Sequence, residues 1–97
     1  MKEKGGWVYI VTNKRNGTLY TGVTSNIVRR SYEHRTGTVE GFTTRYRLRR
    51  LVWFEWHHDI ASAIRREKDI KGWRRAWKIR LIRQANWNWD DLFGELL

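Results

Sequence analysis

Hydrophobic and polar positions alternate in two short segments near the N-terminus, residues 7–12 and 18–24. Both segments are rich in β-branched and aromatic side chains, which favour strands. Asn16 and Gly17 lie between them, and this dipeptide is a strong signal for a tight hairpin turn. The pattern therefore predicts a β-hairpin at the start of the chain.

Further along the chain the apolar period changes from that of strands to that of helices. The predicted elements are a helix over 27–35, a polar basic loop over 36–50, a strand over 51–56, helices over 60–71 and about 73–85, and a short acidic helix in the tail. Ser25 or Asn26 can cap the first helix and Gly37 can end it, while Asp59 can cap the second and Gly72 can end it. The order β-β-α-β-α-α predicts a small α/β (α+β) domain whose sheet is covered by helices.

Composition narrows the class of protein. The 97 residues fit one domain over 1–97, and the absence of cysteine excludes disulfides and thiolate sites and agrees with the cytoplasm. The N-terminal apolar run is too short for a signal or membrane segment. Because Lys and Arg exceed Asp and Glu by 10 charges, the expected partner is polyanionic, and a nucleic acid is favoured over an anionic membrane surface. Neither a membrane nor a small-molecule cofactor is expected as a partner. A merely solvated basic surface is the alternative.

One carboxylate falls on the apolar face of the second helix. At 100° per residue, Glu67 lies within the stripe that includes Ala63, Ile64 and Ile70. A carboxylate on a core-facing stripe is costly unless something pairs with it. The partner could be a metal ion, or it could be Lys71 or a neighbouring arginine, and periodicity alone does not decide between them.

The first helix carries a candidate phosphate-facing pair. Arg30 and His34 are four residues apart and therefore project from the same helix face. Arginine offers planar donors that match phosphate oxygens, and histidine can donate, accept or shuttle a proton. Since Arg29, Glu33 and Arg35 surround the pair, an ordinary surface helix is the simpler interpretation of these residues alone.

Two tyrosines mark the hairpin strands. With a two-residue turn at Asn16 and Gly17, Tyr9 would lie opposite Thr24 and on the same sheet face as Tyr20. That register leaves the two hydroxyls several residues apart, so a shared site would need a wider loop or a bulge. Half-buried strand tyrosines without a chemical role are the alternative.

The segment before the third strand is typical of a nucleic-acid grip. Residues 45–50 include four arginines, at positions 45, 47, 49 and 50. Tyr46 lies among them and could stack on an exposed base. A charge run is, however, more often only solvated. The residues predicted to bind nucleic acid are Arg29, Thr43, Arg45, Tyr46, Arg47 and Lys71.

These signals stand in a recognisable order. The runs Val8-Tyr9-Ile10 and Tyr20-Thr21-Gly22, followed by Arg30 with His34 and then by Glu67, resemble the GIY-YIG nuclease superfamily. The chain is most similar to its small single-domain branch, which itself is similar to the N-terminal nuclease domain of the bacterial excision-repair incision subunit. The resemblance covers about residues 6–90. It implies a small three-stranded antiparallel sheet flanked by helices.

The resemblance also implies roles for the residues that match. Tyr20 would be the general base for the attacking water, Tyr9 would support that proton transfer or hold the phosphate, and His34 would assist through a hydrogen bond. Arg30 would stabilise the pentacovalent phosphate. Glu67 would bind one divalent ion, Mg²⁺ or Mn²⁺, near the leaving oxygen.

The chain departs from the family pattern at several places. Trp7 replaces a glycine of the first motif, Thr21 replaces an isoleucine of the second, and Val23 stands where other members have a basic residue. Asn86 is the candidate counterpart of a downstream family asparagine, although the spacing is longer here.

Three functions follow from the sequence. The first is a metal-dependent DNA endonuclease, acting in repair, recombination or defence on single-stranded, branched or duplex DNA. The alternative is a nucleic-acid-binding protein of the same fold that has lost useful catalysis. A basic adaptor that binds proteins through its tryptophans is the third. Nothing in the sequence decides the oligomeric state.

Overall fold

The computed structural model describes residues 5–38 and 41–97, which form an antiparallel sheet with helices on both faces. The strands are β1 (Gly6–Thr12), β2 (Leu19–Thr24) and β3 (Arg50–His57), in the order β2-β1-β3. The helices are α1 (Ile27–Thr36), α2 (Phe42–Arg45), α3 (Ile60–Gly72) and α4 (Arg75–Ala85), followed by a 3₁₀ helix over Leu92–Leu96. The predicted fold class, a small three-stranded antiparallel sheet flanked by helices, is confirmed.

The caps of the helices follow the sequence signals. The side chain of Asn26 accepts a hydrogen bond from the backbone N–H of Arg29 at 3.0 Å, so Asn26 rather than Ser25 caps α1. Asp59 caps α3 in the same way, accepting from the N–H of Ser62 at 2.7 Å. Gly37 ends α1 in the left-handed region at φ 74°, where glycine has no Cβ to clash.

The short helix α2 was not predicted, because its four residues lie inside the predicted loop over 36–50. One turn of helix is too short to produce an apolar period. Among the described residues of this segment, 36–38 and 41–50, Thr43 and Leu48 are nevertheless buried, and the N–H of Leu48 donates to the carbonyl of Thr43 at 2.8 Å. The loop is therefore anchored to the protein at these two points.

The predicted register of the hairpin is wrong by two residues. Tyr9 pairs with Gly22 rather than with Thr24, and Val11 pairs with Tyr20. The loop between the strands therefore has six residues, 13–18, instead of two. Because a shift of two residues keeps every side chain on its face, Tyr9 and Tyr20 still share one face of the sheet.

Contacts outside the dipeptide hold this wider loop. The side chain of Asn13 accepts from the N–H of Thr18 at 3.0 Å, and Asn16 takes a left-handed φ of 57°. From the N-terminus of α4, Arg75 Nη2 donates to the carbonyls of Asn16 and Gly17 at 2.7 and 2.6 Å. The tertiary structure thus selects a loop that the dipeptide alone did not specify.

The two faces of the sheet have different cores. On the α3/α4 face, the core consists of Val8, Ile10, Val52, Trp53, Ala63, Ile70, Ile82 and Trp89. On the α1 face it consists of Tyr9, Val11, Ile27, Leu48 and Leu51, with Tyr20 packed at its margin. None of the helices in 5–38 and 41–97 combines the length and the apolar run that a membrane span requires.

Candidate active site

Tyr9 occupies the centre of the α1 face, and the glycine of the second motif makes room for it. Tyr9 is only 2% exposed and lies over its cross-strand partner Gly22. A Cβ at position 22 would come within 2.4 Å of the Tyr9 hydroxyl oxygen. The two motifs are therefore complementary in shape, because the ring of one fills the space that the glycine of the other leaves.

His34 of α1 closes over this ring. Its Nε2 lies 3.0 Å from the Tyr9 hydroxyl oxygen, and both groups are buried. Tyr20 is the third member: its ring centroid is 6.5 Å from that of Tyr9 and 6.2 Å from that of His34. Unlike the other two, Tyr20 is only partly buried. The structure thus brings together three residues predicted as site residues, with Tyr20 the one that solvent reaches.

Burial controls the protonation of the inner pair. Desolvation raises the pKa of Tyr9 well above its usual value, and the negative charge that Tyr20 would carry adds to this rise. Desolvation also lowers the pKa of His34 to about 4, with a further contribution from the positive charge of Arg30. At neutral pH Tyr9 therefore keeps its proton and His34 is uncharged.

On the buried side of α1, His34 Nδ1 and Ser31 Oγ lack a hydrogen-bond partner among the described residues. An unpaired lone pair is tolerated better in a protein interior than an unpaired N–H. We therefore assign the His34 proton to Nε2, which donates to the Tyr9 oxygen. In this tautomer the Tyr9 O–H is left to donate to another group in the site.

Glu67 reaches the site from α3. It is 9% exposed and, with Ala63 and Ile70, forms the buried stripe of that helix, whereas Ile64, predicted for the same stripe, is 37% exposed. Its Oε2 lies 2.8 Å from Lys71 Nζ, which also lies 5.5 Å from the centre of the Tyr20 ring. Of the partners that the sequence left open for Glu67, Lys71 is the one that contacts it. Lys71 thereby connects the carboxylate to Tyr20.

Arg30 lies at the rim of the site. Its side chain is 40% exposed, and its Nε pairs with Glu33 Oε1 at 3.3 Å. A polar cavity of about 190 Å³ opens beside it, lined by Thr24, Ser25, Asn26, Arg29, Arg30 and Glu33. A phosphate in this cavity could compete with Glu33 for the guanidinium, since phosphate oxygens match its donors.

The residues predicted to bind nucleic acid divide into two groups. Arg29, Arg45, Tyr46 and Arg47 are exposed, and Lys71 is half-exposed beside Glu67. Thr43 is a correction: it is 4% exposed, and its hydroxyl has no partner within the described residues. Its polar side chain suggested a surface position, but the turn of α2 directs it inward.

Phe42 is a neighbour of the site that the sequence analysis missed. Its ring lies 6.3 Å from the ring of Tyr20 and 4.6 Å from that of Tyr46. It is 47% exposed. The three rings form a continuous row from the basic segment to Tyr20. The signal in the sequence that could have indicated Phe42 is its aromatic side chain within an otherwise polar segment.

Asn86 lies elsewhere and is fully occupied. Its Nδ2 donates to the carbonyls of Val52 and Asp90 at 3.1 and 2.8 Å, and its Oδ1 accepts from the N–H of Asp90 at 3.1 Å. None of these partners is a predicted site residue. The amide therefore ties the end of α4 to β3 and to the tail, and its part in a site stays a prediction.

The residues present suit a weakly held, hydrated ion rather than a protein cage. Among residues 5–38 and 41–97, no three acidic or histidine side chains converge on a common point. Mg²⁺ commonly binds through one or two carboxylates while keeping several waters and a substrate phosphate. Glu67 fits such an ion, provided that the ammonium of Lys71 moves aside.

Comparison with known proteins identifies the family and agrees with the fold. Residues 5–80 match the GIY-YIG catalytic domain. A UPF0213 protein of Staphylococcus haemolyticus is 37% identical over 80% of this chain and 94% of the relative. One from Syntrophus aciditrophicus is 38% identical over 80% of this chain and 90% of the relative. The solution NMR structure of a UPF0213 protein from Bacillus halodurans superposes with a TM-score of 0.54 at 26% identity, covering 90% of this chain and 92% of that one.

The chain therefore belongs to the GIY-YIG family of nuclease domains. The resemblance inferred from the two tyrosine motifs, from Arg30 with His34 and from Glu67 is confirmed at the level of the family. Family membership implies a nucleic-acid substrate and, as for GIY-YIG nucleases generally, a divalent metal.

Proposed function

We propose that this protein is a metal-dependent endonuclease that hydrolyses phosphodiester bonds in DNA. The observation that carries the proposal is the convergence of Tyr9, Tyr20 and His34 on one face of the sheet, with the Glu67–Lys71 pair beside Tyr20. A protein that only bound nucleic acid would need exposed cations and rings. It would gain nothing from a buried tyrosine hydrogen-bonded to a neutral histidine.

Tyr20 is the general base in this proposal. Tyr9 is a poor candidate, because burial raises its pKa and its hydroxyl therefore keeps its proton at neutral pH. Tyr20 is accessible, and Lys71 Nζ lies 5.5 Å from its ring centre. In its phenolate form Tyr20 would accept the proton of the attacking water and become the phenol.

Tyr9 and His34 position the reacting groups. His34 Nε2 donates to the Tyr9 oxygen, so the Tyr9 O–H is fixed in direction and can donate to the attacking water or to a phosphate oxygen. Because both rings are buried, neither reorients when substrate binds, and such preorganised donors cost little reorganisation during the reaction.

Arg30 and Glu67 act on the phosphate. Arg30 would exchange Glu33 for a phosphate oxygen and stabilise the charge that develops on it. Glu67 would hold the hydrated divalent ion, whose chemistry when bound is that of a Lewis acid beside the leaving oxygen. Lys71 would then be free to contact the DNA backbone.

The test is a cleavage assay on labelled single-stranded, duplex and branched DNA, with Mg²⁺, Mn²⁺ or EDTA. We expect cleavage only with metal, and a loss of at least about a hundredfold in both Glu67→Gln and Tyr20→Phe. Glu95→Gln is the matched control, because this exposed carboxylate lies in the terminal 3₁₀ helix. It should cleave as the unaltered protein does.

Cleavage that persists in EDTA, or in Glu67→Gln, would refute the mechanism. Binding to every substrate without cleavage would instead support a nucleic-acid-binding protein, for which the 2.8 Å contact between Glu67 and Lys71 is the favouring observation. Lys71→Ala separates the two functions. In a nuclease it should lower the Mg²⁺ concentration needed for half-maximal activity, because it removes the competitor for Glu67.

DNA as the substrate and the cytoplasm as the compartment remain predictions from composition and resemblance. Among DNA forms we favour single-stranded or branched substrates, since the exposed rings of Phe42 and Tyr46 border the site and could stack on unpaired bases.

A further inference from the structure

Helix α4 and the turn after it expose two tryptophans. Trp77 is 52% exposed and Trp87 is 60% exposed, whereas Trp89, two residues later, is fully buried. Each exposed ring carries an arginine. Arg74 lies 5.5 Å from the ring centre of Trp77, and Arg83 lies 3.9 Å from that of Trp87. Large aromatic rings left in solvent beside cations are typical of binding surfaces rather than of cores.

Two grooves run along the same helix. The larger, of about 470 Å³, is lined by Ala76, Ile79, Arg80, Arg83, Gln84 and Trp87. The smaller, of about 200 Å³, is lined by Trp73, Trp77, Arg80, Leu81 and Gln84. Arg80 and Gln84 line both, so they form a ridge between the grooves. Each groove thus has one of the two exposed tryptophans along its wall.

The charge of this surface has one sign. Residues 73–89 contain five Lys and Arg and no Asp or Glu. Two of the five have structural contacts, since Arg75 donates to the hairpin loop and Lys78 to the carbonyl of Lys71 at 3.4 Å. Arg74, Arg80 and Arg83 border the tryptophans and the grooves.

We propose that α4 is a second nucleic-acid-binding surface, which takes single-stranded nucleic acid by stacking unpaired bases on Trp77 and Trp87. Arg74, Arg80 and Arg83 would contact the phosphates between them. The helical part between the two rings, residues 77–85, spans about 12 Å, which leaves room for more than one stacked nucleotide. This inference goes beyond the proposed hydrolysis and does not depend on it.

A membrane surface fits the observations less well. Insertion into lipid requires a continuous exposed apolar face on the helix. In α4 the aliphatic residues Ile79, Leu81 and Ile82 pack against the core of the α3/α4 face, and the large apolar side chains that are mostly exposed on this surface are the two tryptophans, each paired with an arginine. Stacking of bases uses ring faces and phosphate-binding cations together, and this surface supplies both.

The location adds a consequence for the catalytic site. Helix α4 packs on the α3/α4 face of the sheet, whereas Tyr9 and His34 lie on the α1 face. A single-stranded nucleic acid bound on α4 would therefore be held outside the site. The surface would retain the single-stranded arm of a substrate while another part of the same molecule occupied the site.

The test is binding of a short, fluorescently labelled oligothymidylate, measured by anisotropy in EDTA so that no cleavage occurs. We expect the double variant Trp77→Ala, Trp87→Ala to bind at least about tenfold more weakly. Trp56→Ala is the matched control, because Trp56 is 46% exposed on β3 and packs against Trp7. It should change the affinity by less than about twofold.

Arg80→Gln tests the charge of the ridge without removing a ring. The residue is exposed within α4, and glutamine keeps a similar helix propensity. We expect weaker binding and a salt dependence whose slope falls by about one. Circular dichroism shows whether each protein is folded, and if the double variant is not, the two single tryptophan variants take its place.

Three results would overturn the proposal. The first is a double variant that binds the oligothymidylate as tightly as the unaltered protein. The second is an equal loss of affinity for duplex DNA, which would indicate backbone attraction without stacking. The third is unchanged oligonucleotide binding with lost binding to phosphatidylglycerol vesicles, which would make α4 a lipid-binding surface. Because the assay contains no metal, a protein without nuclease activity tests the proposal equally well.

Discussion

The two faces of the sheet share the same three strands but differ in the side chains that they bury. On the α3/α4 face, the buried cluster is aliphatic apart from its tryptophans, and the polar side chains buried at its helices, Glu67 and Asn86, have ion-pair or hydrogen-bond partners. On the α1 face, the central buried residue is Tyr9, paired with a neutral His34, and two polar atoms nearby lack partners among the described residues.

This difference indicates where the stability of the protein comes from. Apolar burial stabilises a fold roughly in proportion to area, whereas an unpaired buried polar group costs free energy. We infer that the α3/α4 face supplies most of the stability and that the α1 face uses part of it to hold reactive groups in place. Sites that break packing rules in this way are commonly functional.

The strongest test of the contrast compares a substitution of one buried residue on each face. Trp89→Ala should lower the free energy of unfolding by about 3–5 kcal/mol, because a fully buried indole leaves a cavity. Tyr9→Phe, which deletes one hydroxyl and its hydrogen bond, should cost about 1–3 kcal/mol. Urea unfolding monitored by circular dichroism measures both. An equal or larger loss in Tyr9→Phe would contradict the contrast.

The next prediction concerns acid. His34 has a folded pKa of about 4, below its ordinary value of 6.5, so between these pH values the unfolded chain binds more protons than the folded one. Stability should therefore fall as the pH drops from about 6.5 to about 4, by on the order of 3 kcal/mol in total. His34→Gln should flatten this part of the curve. His58→Gln is the matched control for the loss of an exposed imidazole.

Asn86 tests whether a polar residue beyond the site is structural. Asn86→Ala removes three hydrogen bonds, one buried and two partly buried, and should cost about 2–3 kcal/mol, as measured by chemical unfolding. The exposed Asn88→Ala is the control and should have little effect. A variant of unchanged stability with lost DNA cleavage would instead give Asn86 the catalytic part that the family resemblance implies.

The smallest expected effects come from two glycines. Gly22→Ala places a Cβ 2.4 Å from the Tyr9 oxygen, and because Tyr9 is buried it should cost about 1–2 kcal/mol. Gly72→Ala, at the end of α3, meets nothing within 4 Å and should stabilise the protein by up to about 1 kcal/mol. Thermal unfolding distinguishes the opposite signs. If Gly22→Ala were neutral, the close packing of the two motifs would not be required.

Local signals in the sequence were sufficient for the secondary structure apart from the short helix α2. The caps at Asn26 and Asp59 and the stop at Gly37 depend on groups within a few residues of one another, so the chain specifies them without tertiary help. The same holds for the shared face of Tyr9 and Tyr20, because a period of two survives a register shift of two residues.

The sequence by itself determined the family, the order of elements and the inward direction of Glu67, since these follow from residue types at short spacings. The tertiary structure alone decided the hairpin register, which Arg75 holds from α4, and the contact of Glu67 with Lys71 beside Tyr20. It also turned Thr43 inward and gave Asn86 its backbone partners. The physical reason is distance along the chain, because most of these contacts join residues that are far apart in the sequence, and a local pattern carries no information about them. The Glu67 contact has a different reason: a charged group on a helix can pair with any of several neighbours until packing selects one.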